Sequence, residues 1–259
     1  TIIHATLDPM DLNKDVPAQY GLIGDAKLTL TALSTAMQSF DKAPAAARAD
    51  EPSKIAGLRE AWMSEWLPKL TNNDAPINPY RVVAELDRLV DKDNVVITHD
   101  AGSPRDQTTP FWTSTSPLSY IGWGKTTHLG FGIPLLIGAK LAQPEKFCLN
   151  LMGDGAFGMS GIDIETSARA GVPITTVVLN NSGMATYPGG FPTARERYGV
   201  SHMQGDYAQI AEGMGAVGIS VARVDELAPA LKEAQRLNAD GRTVLVDPPA
   251  TCLLYTSPS

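Results

Sequence analysis

The chain has 259 residues, 43% of them hydrophobic and 19% charged, with a formal net charge of −7. That length supports one large α/β domain with a substantial core, or one domain and part of another. An acidic chain without a basic stripe argues against a nucleic-acid partner or an anionic membrane surface, and no apolar run approaches the ~18–20 residues that cross a bilayer.

The first residues, Thr1-Ile2-Ile3-His4, lack the basic region and apolar core of a signal peptide. They read as the interior of a strand, so the N-terminus is expected to be a cut. An Asp-Pro turn follows, then a helix over 26–37, and residues 1–37 are predicted to be the remnant of a preceding α/β domain. Residues 38–57 are rich in Ala, Asp, Lys and Pro and predict a linker. An amphipathic helix over 57–70 places Trp62 and Trp66 at i and i+4, on one face, as a packing pair. Residues 71–77 are polar and break structure, so 38–77 reads as a linker containing a helix.

From Asn78 helices and strands alternate. Asn78-Pro79 is an N-cap and N1 pair opening a helix over 80–90. Val95-Val96-Ile97-Thr98 is a β-branched strand. A Gly-containing apolar helix is predicted over 126–141, kinked by Pro134. A buried strand spans 147–152. A helix begins near Ser160, ends at Gly171 and is stopped by Pro173. Strands over 174–179 and 243–247 and helices over 207–214 and 226–237 complete the pattern. Short apolar strands between helices predict an α/β, doubly wound, mostly parallel sheet with helices on both faces, over residues 78–250. In such a sheet, ligands sit outside the carboxyl ends of the strands. Residues 251–259, including Cys252, have no structural purpose and are expected to be a non-native tail. Cys148, in an apolar run, is a small buried side chain, and two such cysteines make no disulfide framework, so a cytoplasmic setting is expected.

The chemistry concentrates between Phe147 and Tyr187. One strand ends in Gly153-Asp154-Gly155-Ala156-Phe157-Gly158, and the next ends in Asn180-Asn181. Both tips lie at one edge of the sheet. Asp154 offers a hard anionic oxygen and Asn181 a neutral one. The glycines let backbone N–H groups approach an anion, and a helix N-terminus adds positive potential. A carboxylate, an amide oxygen and a diphosphate together suit Mg²⁺. Two other readings stand beside this one. Residues 153–158 spell GxGxxG, the fingerprint of an NAD(P)- or FAD-binding oxidoreductase. That fingerprint wants an acidic residue at the end of the next strand, where Asn180-Asn181 stands, and Asp154 would repel an unscreened pyrophosphate. The plainest reading is a tight turn with an Asp N-cap.

Gly153-Asp154-Gly155, followed 24 residues later by Asn180-Asn181, resembles the thiamine diphosphate (ThDP) motif of the superfamily of acetolactate synthase, benzoylformate decarboxylase and oxalyl-CoA decarboxylase. Leu7-Asp8-Pro9 and Gly24-Asp25-Ala26 resemble the end of that family's central domain. Gly130-Phe131-Gly132-Ile133-Pro134 and Ile137-Gly138-Ala139 resemble the helix leading to the cofactor. The resemblance implies a ThDP-binding fold. It makes the chain a fragment of a ThDP- and Mg²⁺-dependent lyase or transferase that acts on 2-oxo acids through a ThDP enamine.

The resemblance also implies roles for individual residues. Asp154, Asn181 and the main-chain oxygen of Gly183 would hold Mg²⁺. Gly153, Gly155, Ala156 and Phe157 would line the diphosphate, with Gly102 and Ser103 on its other side. Leu129 would prop ThDP into its bent form, with His128 beside it and Met184 along the pyrimidine. The resemblance places the Glu that activates the pyrimidine in an absent N-terminal domain, so no catalytic residue is assigned in this chain. It implies a homodimer or homotetramer and leaves room for FAD in the full-length protein. Ser103-Pro104 stands where acetolactate synthases carry Gln-His, and no Trp follows Asn181 in the segment facing the substrate. The match therefore implies the cofactor chemistry rather than a particular product.

Overall fold

The computed structural model describes residues 1–40, 50–122, 128–183, 191–200 and 202–250. Two compact units divide the chain, Thr1–Glu60 and Ala61–Ser259. The expected tail at 251–259 lies outside the described residues, as do 41–49 of the expected linker.

In the first unit β1 (Ile3–Thr6) and β2 (Tyr20–Ile23) pair in parallel, and α1 (Ala26–Met37) follows. Asp25 starts α1 by accepting the Leu28 N–H at 3.0 Å, which satisfies one of the helix's orphan donors. Helix α2 (Glu51–Leu70) opens earlier than expected, so 51–57 is helical rather than linker. Pro52 stands in the first turn, where a missing N–H costs nothing, and Lys54 pairs with Glu51 at 2.9 Å.

The second unit is built on six parallel strands: β3 (Val95–His99), β4 (Tyr120–Ile121), β5 (Phe147–Gly153), β6 (Thr175–Leu179), β7 (Val217–Ser220) and β8 (Val244–Asp247). Their order across the sheet is β4-β3-β5-β6-β8-β7, and every pairing is parallel. Alternate residues serve two cores. Ile97, Leu149, Leu151 and Val177 face α3 (Pro79–Leu89), α10 (Val224–Ala239) and the end of α2. Val96, Cys148, Met152 and Val178 face α5 (Gly132–Ala142), α7 (Asp163–Arg169) and α9 (Tyr207–Gly213). The sheet is thus covered on both faces, as the uninterrupted apolar strands require. Trp62 and Trp66 are packing residues. Trp62 stacks on Phe111 at 5.1 Å, and buried Trp66 meets Tyr80 at 5.0 Å.

Two expectations need correction. Helix α5 begins at Gly132 rather than near 126, and Pro134 does not kink it. The proline falls in the first turn, where its absent N–H has no intrahelical acceptor to lose. The helix placed near Ser160 is two short ones. Helix α6 (Asp154–Ser160) starts directly at the strand tip, and α7 follows after a break at Gly161 and Ile162. Helices α4 (Ser103–Thr108) and α8 (Pro192–Tyr198) and strands β4 and β7 had too little periodic pattern to announce themselves. Strand β7 contains Gly218, where a Cβ would lie 2.2 Å from the Ala208 carbonyl oxygen, so the glycine is there for the approach of α9. Among the described residues, no helix is long and apolar enough to cross a membrane.

His99 closes β3 and is 2% exposed. Its Nδ1 lies 3.2 Å from the Asp100 carbonyl, and burial pushes the imidazole pKa down. The unfolded chain therefore takes up a proton before the native state does. His99 should contribute stability that is intact above pH ~6.5 and is lost as pH falls through its lowered native value. Urea midpoints at pH 7.5 and 5.5 should differ less for His99→Gln than for the parent chain.

Candidate functional site

A doubly wound sheet opens a crevice where successive connections leave in opposite directions. The chain leaves β3 for β4 on one side and leaves β5 for β6 on the other. The crevice therefore lies over the carboxyl tips of β3 and β5. The β3 tip carries Asp100, Gly102 and Ser103, and the β5 tip carries Gly153 and Asp154. Gly102 adopts φ +83°, which favours glycine, and opens α4, with Pro104 in its first turn. A Cβ added to Gly153 would lie 4.0 Å from Pro104 Cγ, so the two tips are neighbours.

Three buried aspartates occupy this edge, and their hydrogen bonds separate them. Asp100 Oδ1 accepts N–H groups from Ala101 at 2.7 Å and Gly130 at 2.9 Å, and its Oδ2 accepts that of Gly132 at 2.9 Å. Asp247 Oδ1 accepts the Asn180 Nδ2–H at 3.1 Å, and its Oδ2 accepts the Tyr207 N–H at 3.0 Å. Asp154 differs. Its Oδ1 accepts the Gly155 N–H at 2.8 Å, but its Oδ2 is buried with no hydrogen-bond partner. Burial pushes the Asp154 pKa up, while the amides of Gly155, Ser182 and Gly183 pull it down. A buried carboxylate oxygen left bare is costly unless a cation meets it.

Asn181 stands one residue beyond the bridge that Asn180 makes to Pro249. Its Oδ1 accepts the Gly183 N–H at 3.0 Å, around a turn in which Ser182 adopts φ +58°. The same Gly183 amide acts on the Asp154 carboxylate. Asp154 and Asn181 thus stand just beyond adjacent strands paired Gly153 to Leu179, with the Gly183 amide bonded to Asn181. One carboxylate oxygen, one amide oxygen and main-chain carbonyls fit a hard divalent cation that shares its sphere with a diphosphate. Among the described residues, no group of three or more His, Cys, Asp and Glu gathers as a metal site. An ion at this edge would have a single carboxylate.

Helix α6 starts at Asp154, so the N–H groups of Gly155 and Ala156 lie ahead of its first i→i−4 bond, which Phe157 makes to Gly153, and that of Gly155 is met by Asp154 Oδ1 at 2.8 Å. The side chains of Ala156 and Phe157 are buried, and Phe157 meets Tyr207 edge-on at 5.2 Å, so only their backbones can serve an anion. Leu129 is half-buried against the core beneath α5. His128 is exposed, its Nδ1 3.0 Å from the Leu129 carbonyl oxygen. Met184 lies outside the described residues.

The glycines bear on the dinucleotide reading. The third glycine of that fingerprint exists for close packing of helix on strand. A Cβ on Gly158 would meet nothing within 4 Å. The position that does need glycine is Gly161, where a Cβ would fall 2.7 Å from the Phe157 carbonyl oxygen.

Asp100, Tyr207 and Asp247 were not singled out as site residues, and Asn180 was named only as part of the strand-tip motif. Burial, with the charges of Asp154 and Asp247, pushes the Tyr207 phenol up to about 12, and its backbone N–H donates to Asp247. The available signal was an aspartate at the end of two apolar strands, His99-Asp100 and Val246-Asp247.

Comparison with known proteins agrees with this geometry. Residues 100–247, more than half of the chain, match the family model of the thiamine pyrophosphate enzyme C-terminal TPP binding domain. The chain belongs to the thiamine pyrophosphate enzymes. It is similar to the acetolactate synthase isozyme 3 large subunit of Escherichia coli (strain K12), with 28% identity over 95% of this chain and 43% of that protein. It is 30% identical to the mitochondrial acetolactate synthase of Schizosaccharomyces pombe, over 90% of this chain and 34% of the relative. It is 28% identical to the sulfoacetaldehyde acetyltransferase of Castellaniella defragrans, over 83% and 38%. The chain spans less than half the length of these relatives. Family membership removes the dinucleotide reading, as Gly158 had already indicated.

Gly158→Ala should be neutral or stabilising by about 0.5–1 kcal/mol, since it replaces a mid-helix glycine in open space. Gly161→Ala should cost about 1–3 kcal/mol through overpacking against backbone. Paired urea titrations of the two variants check the difference.

Proposed function

We propose that the full-length protein binds ThDP through Mg²⁺ at the tips of β3, β5 and β6 and acts on 2-oxo acids by decarboxylation, acyl transfer or both. The orphan Oδ2 of buried Asp154, facing the turn at Asn181–Gly183, carries this reading. Asp154 and Asn181 supply side-chain oxygens to the metal, and the Gly183 carbonyl supplies a third. The first-turn amides of α6 receive the diphosphate from one side, and Gly102 and Ser103 from the other. Leu129 would supply the apolar prop that holds ThDP in its bent form. When bound, ThDP supplies a carbon nucleophile for the substrate carbonyl and a ring that takes up the electron pair released with CO₂.

The names of the relatives, acetolactate synthase and sulfoacetaldehyde acetyltransferase, support acyl transfer as the reaction class. Ser103-Pro104 and the Trp-free stretch after Asn181 favour an acyl acceptor other than that of the acetolactate synthases. Met159 and Ile162, 61% and 71% exposed beside α6, support closure of the site by a second protomer.

Calorimetric titration of the full-length protein tests the reading. ThDP should bind in the presence of Mg²⁺ and lose about 10–100-fold or more in affinity on chelation of the metal or in Asp154→Ala. Equal ThDP affinity in the variant and the parent would sink the assignment of Asp154.

A further inference from the structure

We infer that Asp100 is a positioning residue, whose carboxylate holds the two walls of the cofactor site in one register. The inference rests on the ThDP reading above. One wall is the β3 tip with Gly102 and Ser103, and the other is the turn carrying Leu129 into α5. Asp100 is fully buried and touches both. Its N–H donates to the Leu151 carbonyl at 2.7 Å, which fixes it to β5. Its Oδ1 accepts from Ala101 and Gly130, and its Oδ2 accepts from Gly132.

The last of these bonds is a helix cap supplied from a distant strand. Phe131, at the N-cap position of α5, has no side-chain cap. Asp100 meets the orphan Gly132 amide from 32 residues earlier in the chain. The charge is compensated by the amides and by the positive end of α5 rather than by a cation. Both donor amides come close because both residues are glycines. Gly130 adopts φ +95°, and a Cβ on Gly132 would fall 2.4 Å from Asn150 Oδ1. Leu129 is bonded directly to Gly130, and Gly102 lies two residues after Asp100. Releasing the carboxylate therefore frees the Leu129 wall, while the β3 tip stays tied to β5 through the Asp100 N–H and Asp154, Asn181 and Gly183 keep their own contacts.

Asp100→Asn is the informative variant. The amide is isosteric, but its NH₂ must face one of the amide donors that the carboxylate now accepts. Calorimetry on the full-length protein should compare ThDP plus Mg²⁺ with inorganic pyrophosphate plus Mg²⁺. ThDP affinity should fall about tenfold or more, while Mg²⁺-pyrophosphate affinity stays within about threefold, because it does not use the Leu129 wall. A merely structural defect would weaken both ligands together, and that outcome, like unchanged ThDP affinity, overturns the inference. Parent protein that binds no ThDP defeats the cofactor reading and this inference with it. Parent and variant binding ThDP equally defeats only the role of Asp100. If Asp100→Asn does not fold, hydrogen exchange on the parent protein decides. The Gly130 and Gly132 amides should be protected like those of β5, and exchange at loop rates overturns the clamp.

Discussion

One carboxylate oxygen, Asp154 Oδ2, is buried at the edge of the sheet and accepts no hydrogen bond among the described residues. Proteins rarely keep such a group, because the desolvation it suffers is not returned by any bond. Here everything around it is arranged to tolerate the charge. The other oxygen takes an amide, the turn at Ser182–Gly183 presents two more, and the first turn of α6 begins at the same residue. These donors lessen the cost without filling the vacant acceptor. The proposed divalent cation would fill it, and would in turn make the same amide row attractive to a diphosphate.

The location follows from topology. In the order β4-β3-β5-β6-β8-β7 only the β3/β5 junction sends its connections apart, so only there does the parallel sheet leave a crevice at its carboxyl edge. Asp100 and Asp247 lie at the β3 and β8 tips, on either side of Asp154 along this edge, and both have each oxygen bonded. The same residue type at three strand tips thus does two kinds of work. Two of the aspartates fasten the loops, and the third is left able to bind. Asp247 fastens Asn180, the neighbour of Asn181, as Asp100 fastens the turn beside Leu129.

Much of the frame was legible in the chain itself. Continuous β-branched and apolar runs at Val95–His99, Phe147–Gly153 and Thr175–Leu179 specify buried parallel strands, since no half-exposed strand tolerates such composition. Asn78-Pro79 marked its helix by local hydrogen-bonding chemistry alone. The short elements were not legible. Strand β4 has two residues, and β7 owes Gly218 to a neighbour distant in sequence. Helix α6 was misplaced because glycines at 155 and 158 look like a loop, whereas tertiary contact overrides their weak helix propensity.

Sequence by itself determined the class of fold, because that depends on local periodicity, and the Gly153-Asp154-Gly155 … Asn180-Asn181 motif carried the resemblance to the thiamine pyrophosphate enzymes that the family match bears out. Tertiary structure decided which aspartate is free to bind. Asp100, Asp154 and Asp247 are chemically identical in the chain, and they differ only in how many donors the folded backbone brings to each carboxylate. Those donors come from segments as far as 67 residues away, as for Asp247 and Asn180, and no local pattern carries that count.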